Sequence, residues 1–100
     1  MTQITIVYWR DIPAQVIAKR GRSSAKHVLS ERFEKSIDRA AMRAGARDTD
    51  SYLADWRRGD PIACGDDIEA EATAAAERLE REYDMDRLAA LVASGGREAD

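Results

Sequence analysis

The 100-residue sequence has few of the residues that small proteins use for catalysis or covalent stabilisation: one cysteine, one histidine and two prolines. A single thiol, Cys64, excludes an internal disulfide and offers no cysteine spacing typical of structural zinc. This cysteine usage suits a reducing compartment, so we expect a cytoplasmic protein. No apolar run approaches the ~20 residues of a membrane span, and the N-terminus lacks the pattern of a secretory signal, so we expect no membrane association.

Large apolar side chains are also scarce. Hydrophobic residues make up 44% of the chain, but 18 residues are alanines, which favour helix and bury little area each. A chain of this length forms one domain, in which most of the large apolar side chains must share one core. We predict a single small domain over residues 1–94 and a flexible C-terminal tail over residues 95–100.

The residues available for catalysis do not form a recognisable motif. His27 is the only histidine, and no nucleophile lies in a known sequence pattern around it. A thiolate at Cys64 would precede a helix N-terminus, but the adjacent carboxylates of Asp66 and Asp67 oppose a negative sulfur. The sequence predicts no catalytic residue, metal or cofactor. A small enzyme or cofactor-binding protein that uses Cys64 and His27 is the alternative.

The most informative segment that is present lies at the N-terminus. Residues Gln3–Trp9 alternate in polarity as a half-covered strand does, and Gln15–Lys19 resumes the pattern until Gly21. Pro13 predicts a loop or a strand edge over Arg10–Pro13. A loop stiffened by proline presents its side chains with little ordering cost, so Trp9, Arg10 and Asp11 are predicted to form a partner-facing tip with Trp9 partly exposed.

Helical periodicity dominates the rest of the chain. The spacing predicts helices that begin at Ser23 or Ser24, at Asp48–Asp50, at Asp66–Asp67 and at Asp84 or Asp86, with the first ending at Gly45 and the second near Arg58. Residues Ile62–Cys64 form either a short third strand or irregular chain. The predicted fold class is therefore α+β: an N-terminal β-hairpin packed against three to four α-helices.

Charge is distributed unevenly. Residues 1–58 carry 12 Lys/Arg and 7 Asp/Glu, whereas residues 59–100 carry 4 and 12. Such asymmetry marks an interaction surface, or two halves that neutralise each other within the fold or in a dimer. The predicted partner-binding residues are the three of the hairpin tip and four on the basic face of the first helix: Arg32, Lys35, Arg39 and Arg43. The partner is expected to be another protein or a second copy of this chain. Nucleic acid binding to the basic face is the alternative, which an isoelectric point near 5.2 disfavours.

Three segments together carry a family resemblance: Val7–Val16, Arg32–Glu34 and Asp38–Arg43. They resemble a bacterial family named "virulence factor", and also part of the proteins called conserved virulence factor C. The resemblance covers nearly the whole chain and implies no catalytic residues. It implies an accessory role in virulence or in one-carbon metabolism, beside folate and corrinoid methyl-transfer proteins. A methyl-transfer enzyme is accordingly an expected partner.

Overall fold

A computed structural model describes residues 2–45 and 49–97. These residues form one antiparallel sheet of five strands and four helices, which confirms the predicted α+β class. The strands are β1 (Thr2–Trp9), β2 (Ile12–Arg20), β3 (Ser23–Val28), β4 (Trp56–Arg58) and β5 (Ile62–Ala63). The helices are α1 (Glu31–Arg43), α2 (Thr49–Ala54), α3 (Ile68–Glu82) and α4 (Met85–Ala93). None of the helices in these described residues is long and apolar enough to cross a bilayer.

The β1–β2 hairpin is the centre of the sheet, whose strand order is β3-β2-β1-β4 with β5 also paired to β1. One face of the hairpin is buried beneath α3 and carries Ile4, Ile6, Val16 and Ala18. The predicted loop is shorter than expected, because Ile12 and Pro13 already belong to β2. Pro13 is tolerated there because the register shifts opposite it, between Val7 and Tyr8, which relaxes the regular ladder of hydrogen bonds.

The first helix begins later than the sequence predicted. Ser23–Val28 is an edge strand that pairs with β2 over its full length, from Arg20–Ser23 to Gln15–Val28. The prediction of a helix from Ser23 or Ser24 is therefore wrong, because Gly21, at φ 57°, helps turn the chain back along β2. Ser30 takes the N-cap position of α1 instead.

The segment around Trp56 also differs from its prediction as one helix. α2 ends at Ala54, and Trp56–Arg58 pairs with the outer side of β1 as β4. Three residues with two arginines give no strand signal, so only the neighbouring strand determines this conformation. Ile62–Ala63 is extended and forms β5. Asp48, part of the predicted cap, lies outside the described residues.

The two C-terminal helices begin where the sequence placed them. The side chain of Asp67 accepts a hydrogen bond from the Ala70 amide at 3.1 Å, and that of Asp84 accepts one from the Arg87 amide at 2.9 Å. Each carboxylate satisfies a free N–H group and opposes the positive end of the helix dipole. These caps fix the start of α3 and of α4.

Trp9 is fully buried, so the prediction that its side chain is partly exposed is wrong. Its indole Nε1 donates to the carbonyl oxygen of Tyr52 at 2.8 Å, and its ring stacks on the Tyr52 ring with centroids 5.9 Å apart. The edge of the ring at Cζ3 meets Gly96 so closely that a Cβ atom there would lie 2.8 Å from it. The turn after α4 therefore closes over the tip of the hairpin.

The predicted tail begins within this packed region. Gly95 and Gly96 are buried, and the amide of Asp11 donates to the carbonyl oxygen of Gly96 at 2.8 Å. The contacts of the folded part thus extend beyond the predicted boundary at residue 94. Residues 98–100 lie outside the described residues, and the flexibility of the tail stays a prediction.

Glu80 connects α3 to the start of α1. Its carboxylate accepts hydrogen bonds from the Ser30 amide at 2.7 Å, from the Ser30 hydroxyl at 2.8 Å and from Arg32 at 3.0 Å. Partial burial alone would raise the pKa of Glu80, but these hydrogen bonds and the charge of Arg32 together lower it. Glu80 thus satisfies the backbone amide of the N-cap residue Ser30, whose own side chain makes no cap hydrogen bond.

Replacement of Trp9 by alanine should destabilise the protein by about 3–5 kcal/mol, because it removes a fully buried indole and leaves a cavity. Urea unfolding measures the loss. The control is Met42→Ala on the exposed surface of α1, which should change stability by less than about 0.5 kcal/mol. Equal losses in the two variants would contradict the burial of Trp9.

Gly96→Ala should lower the melting temperature more than Gly21→Ala does. Both residues have positive φ, 94° for Gly96 and 57° for Gly21, so both variants carry the backbone strain of about 1–2 kcal/mol. Only the Cβ at position 96 also meets the Trp9 ring, whereas nothing lies within 4 Å at position 21. Similar shifts in the two melting temperatures would show that the turn does not press on Trp9.

The Glu80 contact should make stability depend on pH. Because the folded-state pKa is lowered, the contact stabilises the protein above the ordinary glutamate pKa of about 4.3 and is lost as pH falls through the folded value. Glu80→Gln should lower the melting temperature at neutral pH and reduce its decline in acid. Glu77→Gln, on the exposed surface of the same helix, is the control. If the melting temperature of Glu80→Gln falls with pH in parallel with that of the wild type, the Glu80 contact does not cause the pH dependence.

Candidate functional site

The polar groups of the hairpin tip form hydrogen bonds with other residues of this chain. Arg10 Nε donates to Asp55 Oδ2 at 3.0 Å and Arg10 Nη1 to the carbonyl oxygen of Gly95 at 2.7 Å. Arg57 donates to the carbonyl oxygen of Arg10 at 2.9 Å and to Asp11 Oδ1 at 3.2 Å. These bonds hold Arg10 at its positive φ of 54°. A partner contact by Trp9, Arg10 and Asp11 stays a prediction, but the buried indole offers it no surface.

Helix α1 carries opposite charges on the two sides of its buried stripe. The stripe consists of Phe33, Ser36, Ile37, Ala40 and Ala41. At 100° per residue, one side, the basic flank, carries Arg32, Lys35, Arg39 and Arg43, whereas the other side, the acidic flank, carries Glu34 and Asp38. Each flank borders a different cavity.

The three arginines and one lysine predicted on the basic flank divide into two functions. Arg32 donates to the carbonyl oxygens of Glu80 and Tyr83, and Arg43 donates to that of Ala93 at 3.0 Å, so both tie α1 to its neighbours. Lys35 and Arg39 are exposed. Lys35 pairs with Glu31 at 3.5 Å across a solvent-exposed turn, a contact of small energy.

Between these two cations and the start of α4 lies a cavity of about 340 Å³, the basic groove. It is lined by Glu31, Arg32, Lys35, Ser36, Arg39 and Met85. Met85 is 67% exposed, which makes it the most exposed large apolar side chain of the described residues. The groove thus joins a flexible apolar side chain to positive charge on a helix that Arg32 and Arg43 hold in place.

The acidic flank borders a second cavity, of about 280 Å³, which we call the aromatic pocket. It is lined by Ala14, Gln15, Val28, Leu29, Glu34, Ile37, Tyr52 and Trp56. The rings of Tyr52 and Trp56 stand nearly perpendicular, at 82° with centroids 5.9 Å apart. Burial raises the pKa of Tyr52, and the negative charges of Asp38 and Glu34 raise it further. A hydrogen bond from Trp56 lowers it, but by less.

The sequence did not reveal this pocket. Its lining comes from β2, β3, α1, α2 and β4, and two of these elements, β3 and β4, were predicted as helix. The tryptophan at the cavity is Trp56, which is half-buried, whereas Trp9, predicted to be partly exposed, is in the core. The one indication in the sequence was the pair of aromatic residues Tyr52 and Trp56. Because they are four positions apart, they are equally consistent with one side of a helix.

Cys64 and His27 do not come together. His27 lies on β3 at one edge of the sheet, in a cavity shared with Glu69 and Thr73 of α3. Cys64 follows β5, on the opposite side of β1, so three strand spacings of about 4.8 Å separate the two backbones. Burial raises the pKa of the Cys64 thiol, and the charges of Glu71 and Asp66 raise it further. This arrangement offers no thiol–imidazole pair and favours an unreactive thiol.

Comparison with known proteins gives one match. A family model described as "Virulence factor" matches residues 7–92. No curated protein and no solved structure matches. The matched segment includes the hairpin tip, both flanks of α1 and all residues that line the aromatic pocket and the basic groove. Since the match covers most of the sequence, the chain belongs to the virulence factor family.

Proposed function

We propose that this protein is a small cytoplasmic accessory subunit that binds a partner protein, without catalysing a reaction itself, through the basic groove. The observation that carries the proposal is the exposed pair of cations, Lys35 and Arg39, beside the exposed Met85. Arg39 has no ion pair among residues 2–45 and 49–97. An unpaired arginine next to a flexible thioether side chain is a combination enriched at protein interfaces.

The chemistry of the groove favours an acidic, partly apolar segment as its occupant. Carboxylates of the partner would pair with Lys35 and Arg39, and an apolar side chain would cover Met85. The charges would mainly speed association and select the partner, whereas the buried thioether would contribute to the lifetime of the complex. Because Arg32 already bonds to α3, the position of α1 beneath the groove is fixed before a partner binds, and only the exposed side chains need to be ordered.

Two partners fit this description. A second copy of this chain is one, since residues 59–100 carry 4 Lys/Arg and 12 Asp/Glu. A methyl-transfer enzyme, the partner that the family resemblance implies, is the other, and would place the protein beside one-carbon metabolism. The family's link to virulence would follow from such an accessory role.

The double variant Lys35→Glu/Arg39→Glu should abolish binding of an acidic amphipathic peptide, such as one of alternating glutamate and leucine, because the groove then repels it. Isotope-edited NMR should show wild-type shifts at Lys35, Arg39 and Met85 that weaken as salt rises. Lys19→Glu/Arg20→Glu is the matched control, since both residues are exposed at the end of β2 and away from the groove. Equal binding by both double variants would refute the proposal.

The same variants separate the alternatives. Self-association by sedimentation that the groove variant loses and the control keeps would identify a second copy as the partner. A single-stranded RNA oligonucleotide that shifts the groove residues more strongly than the peptide would assign the basic flank to nucleic acid instead.

A further inference from the structure

We propose that the aromatic pocket is a second binding site, and that it binds a small organic cation with an ammonium group on a short carbon stem. This site is separate from the basic groove, and the two have opposite charge. They lie on the two flanks of α1, so one helix would serve two ligands of different chemistry.

The size of the pocket restricts the ligand. A cavity of about 280 Å³ lies at the lower end of the range for small-molecule sites, so it holds a compact ligand rather than a nucleotide or a large cofactor. Most of the wall is apolar, from Val28, Leu29 and Ile37 together with the two aromatic rings. Such a wall favours carbon groups and leaves few positions for a ligand rich in polar atoms.

The charge of the ligand follows from the acidic flank. Glu34 lines the pocket, and Asp38 lies close enough to Tyr52 to act on its hydroxyl electrostatically. Both carboxylates are exposed, and neither has an ion pair within the described part of the chain. Like charges four positions apart on a helix destabilise it, so a bound cation would relieve the repulsion between them. An anionic ligand would increase that repulsion.

The aromatic rings favour an organic cation over a metal ion. Tyr52 and Trp56 stand nearly perpendicular and form a corner of the pocket. An ammonium group with attached carbons is attracted by the negative face of an aromatic ring and is less strongly hydrated than a metal ion, so it enters an apolar wall at a lower desolvation cost. A bare metal ion would need several oxygen ligands, and Glu34 and Gln15 are the polar side chains of the wall besides the Tyr52 hydroxyl.

Choline and dimethylbutanol, its uncharged carbon analogue, provide a matched pair of probes. Titration of the wild-type protein, followed by NMR, should shift the Trp56 indole N–H and the amides of Val28 and Tyr52 with choline. Dimethylbutanol should bind at least about fivefold more weakly, since it has the same shape without the charge. Equal shifts by the two probes would show that charge plays no part, and would overturn the proposal.

Glu34→Gln should weaken choline binding by about fivefold, and Glu34→Gln/Asp38→Asn should weaken it further. Both substitutions preserve size and remove the like-charge pair, which offsets the lost interaction of Glu34 with the N-terminal end of the helix dipole, so the melting temperature should change little. The control is Glu77→Gln, an exposed residue of α3 that lines neither cavity and should leave binding unchanged. Choline binding that is the same in Glu34→Gln and Glu77→Gln would overturn the proposal.

Two further measurements fix the source of the ligand and its independence from the partner site. If a lysine-containing peptide binds the pocket more tightly than choline does, the natural ligand is a protein side chain and not a small molecule. That result would refute the proposal. The groove variant Lys35→Glu/Arg39→Glu should still bind choline, because neither residue lines the aromatic pocket. Choline binding would thus remain if the basic groove proved not to bind a partner, and partner binding would remain if the aromatic pocket proved not to bind choline.

Discussion

The contact between the Trp9 indole and the turn at Gly95–Gly96 joins the two ends of the described chain, and the rest of the structure depends on it. In a sequence with 18 alanines, one indole provides a large share of the buried apolar area. Tyr52 stacks on its ring, the Arg10 guanidinium lies over the ring at 4.8 Å, and Gly96 packs against the ring edge. The tip of the hairpin, α2 and the end of α4 are thereby held by one side chain, and the positions of both cavities beside α1 follow from that arrangement.

The elements predicted correctly from sequence are those whose signal is local. The β1–β2 hairpin follows from alternation, and α3 and α4 follow from capping aspartates before regular apolar spacing. β3 and β4 were assigned to helix because Ser23–Val28 and Trp56–Arg58 have no alternation of their own. Their conformation is decided by pairing with β2 and β1, an interaction between segments that propensity does not contain.

The candidate sites also divide into features that local sequence predicts and features that depend on distant contacts. The basic flank of α1 could be predicted, because helical spacing alone places Arg32, Lys35, Arg39 and Arg43 on one side. The sequence could not show which of these cations hold α1 to its neighbours, since Arg32 and Arg43 bond to carbonyl oxygens of α3 and α4 that are far away in sequence. The wall of the aromatic pocket is formed by residues of five elements, so no short sequence motif predicts the pocket. Opposite charges on the two flanks of α1 emerge only when its buried stripe is known.

The separation of Trp9 from Gly96 also sets an order of events during synthesis. The hairpin can pair, and α3 can cover it, as soon as Glu82 has left the ribosome, since these contacts need nothing later in the chain. Tyr52 can already stack on the indole at that stage, but the ring edge that meets Gly96 stays exposed until α4 and the two glycines after it are made. A nascent chain therefore passes through a stage in which the sheet is formed but an aromatic patch is open at one end, the kind of surface that chaperones bind and that aggregation uses.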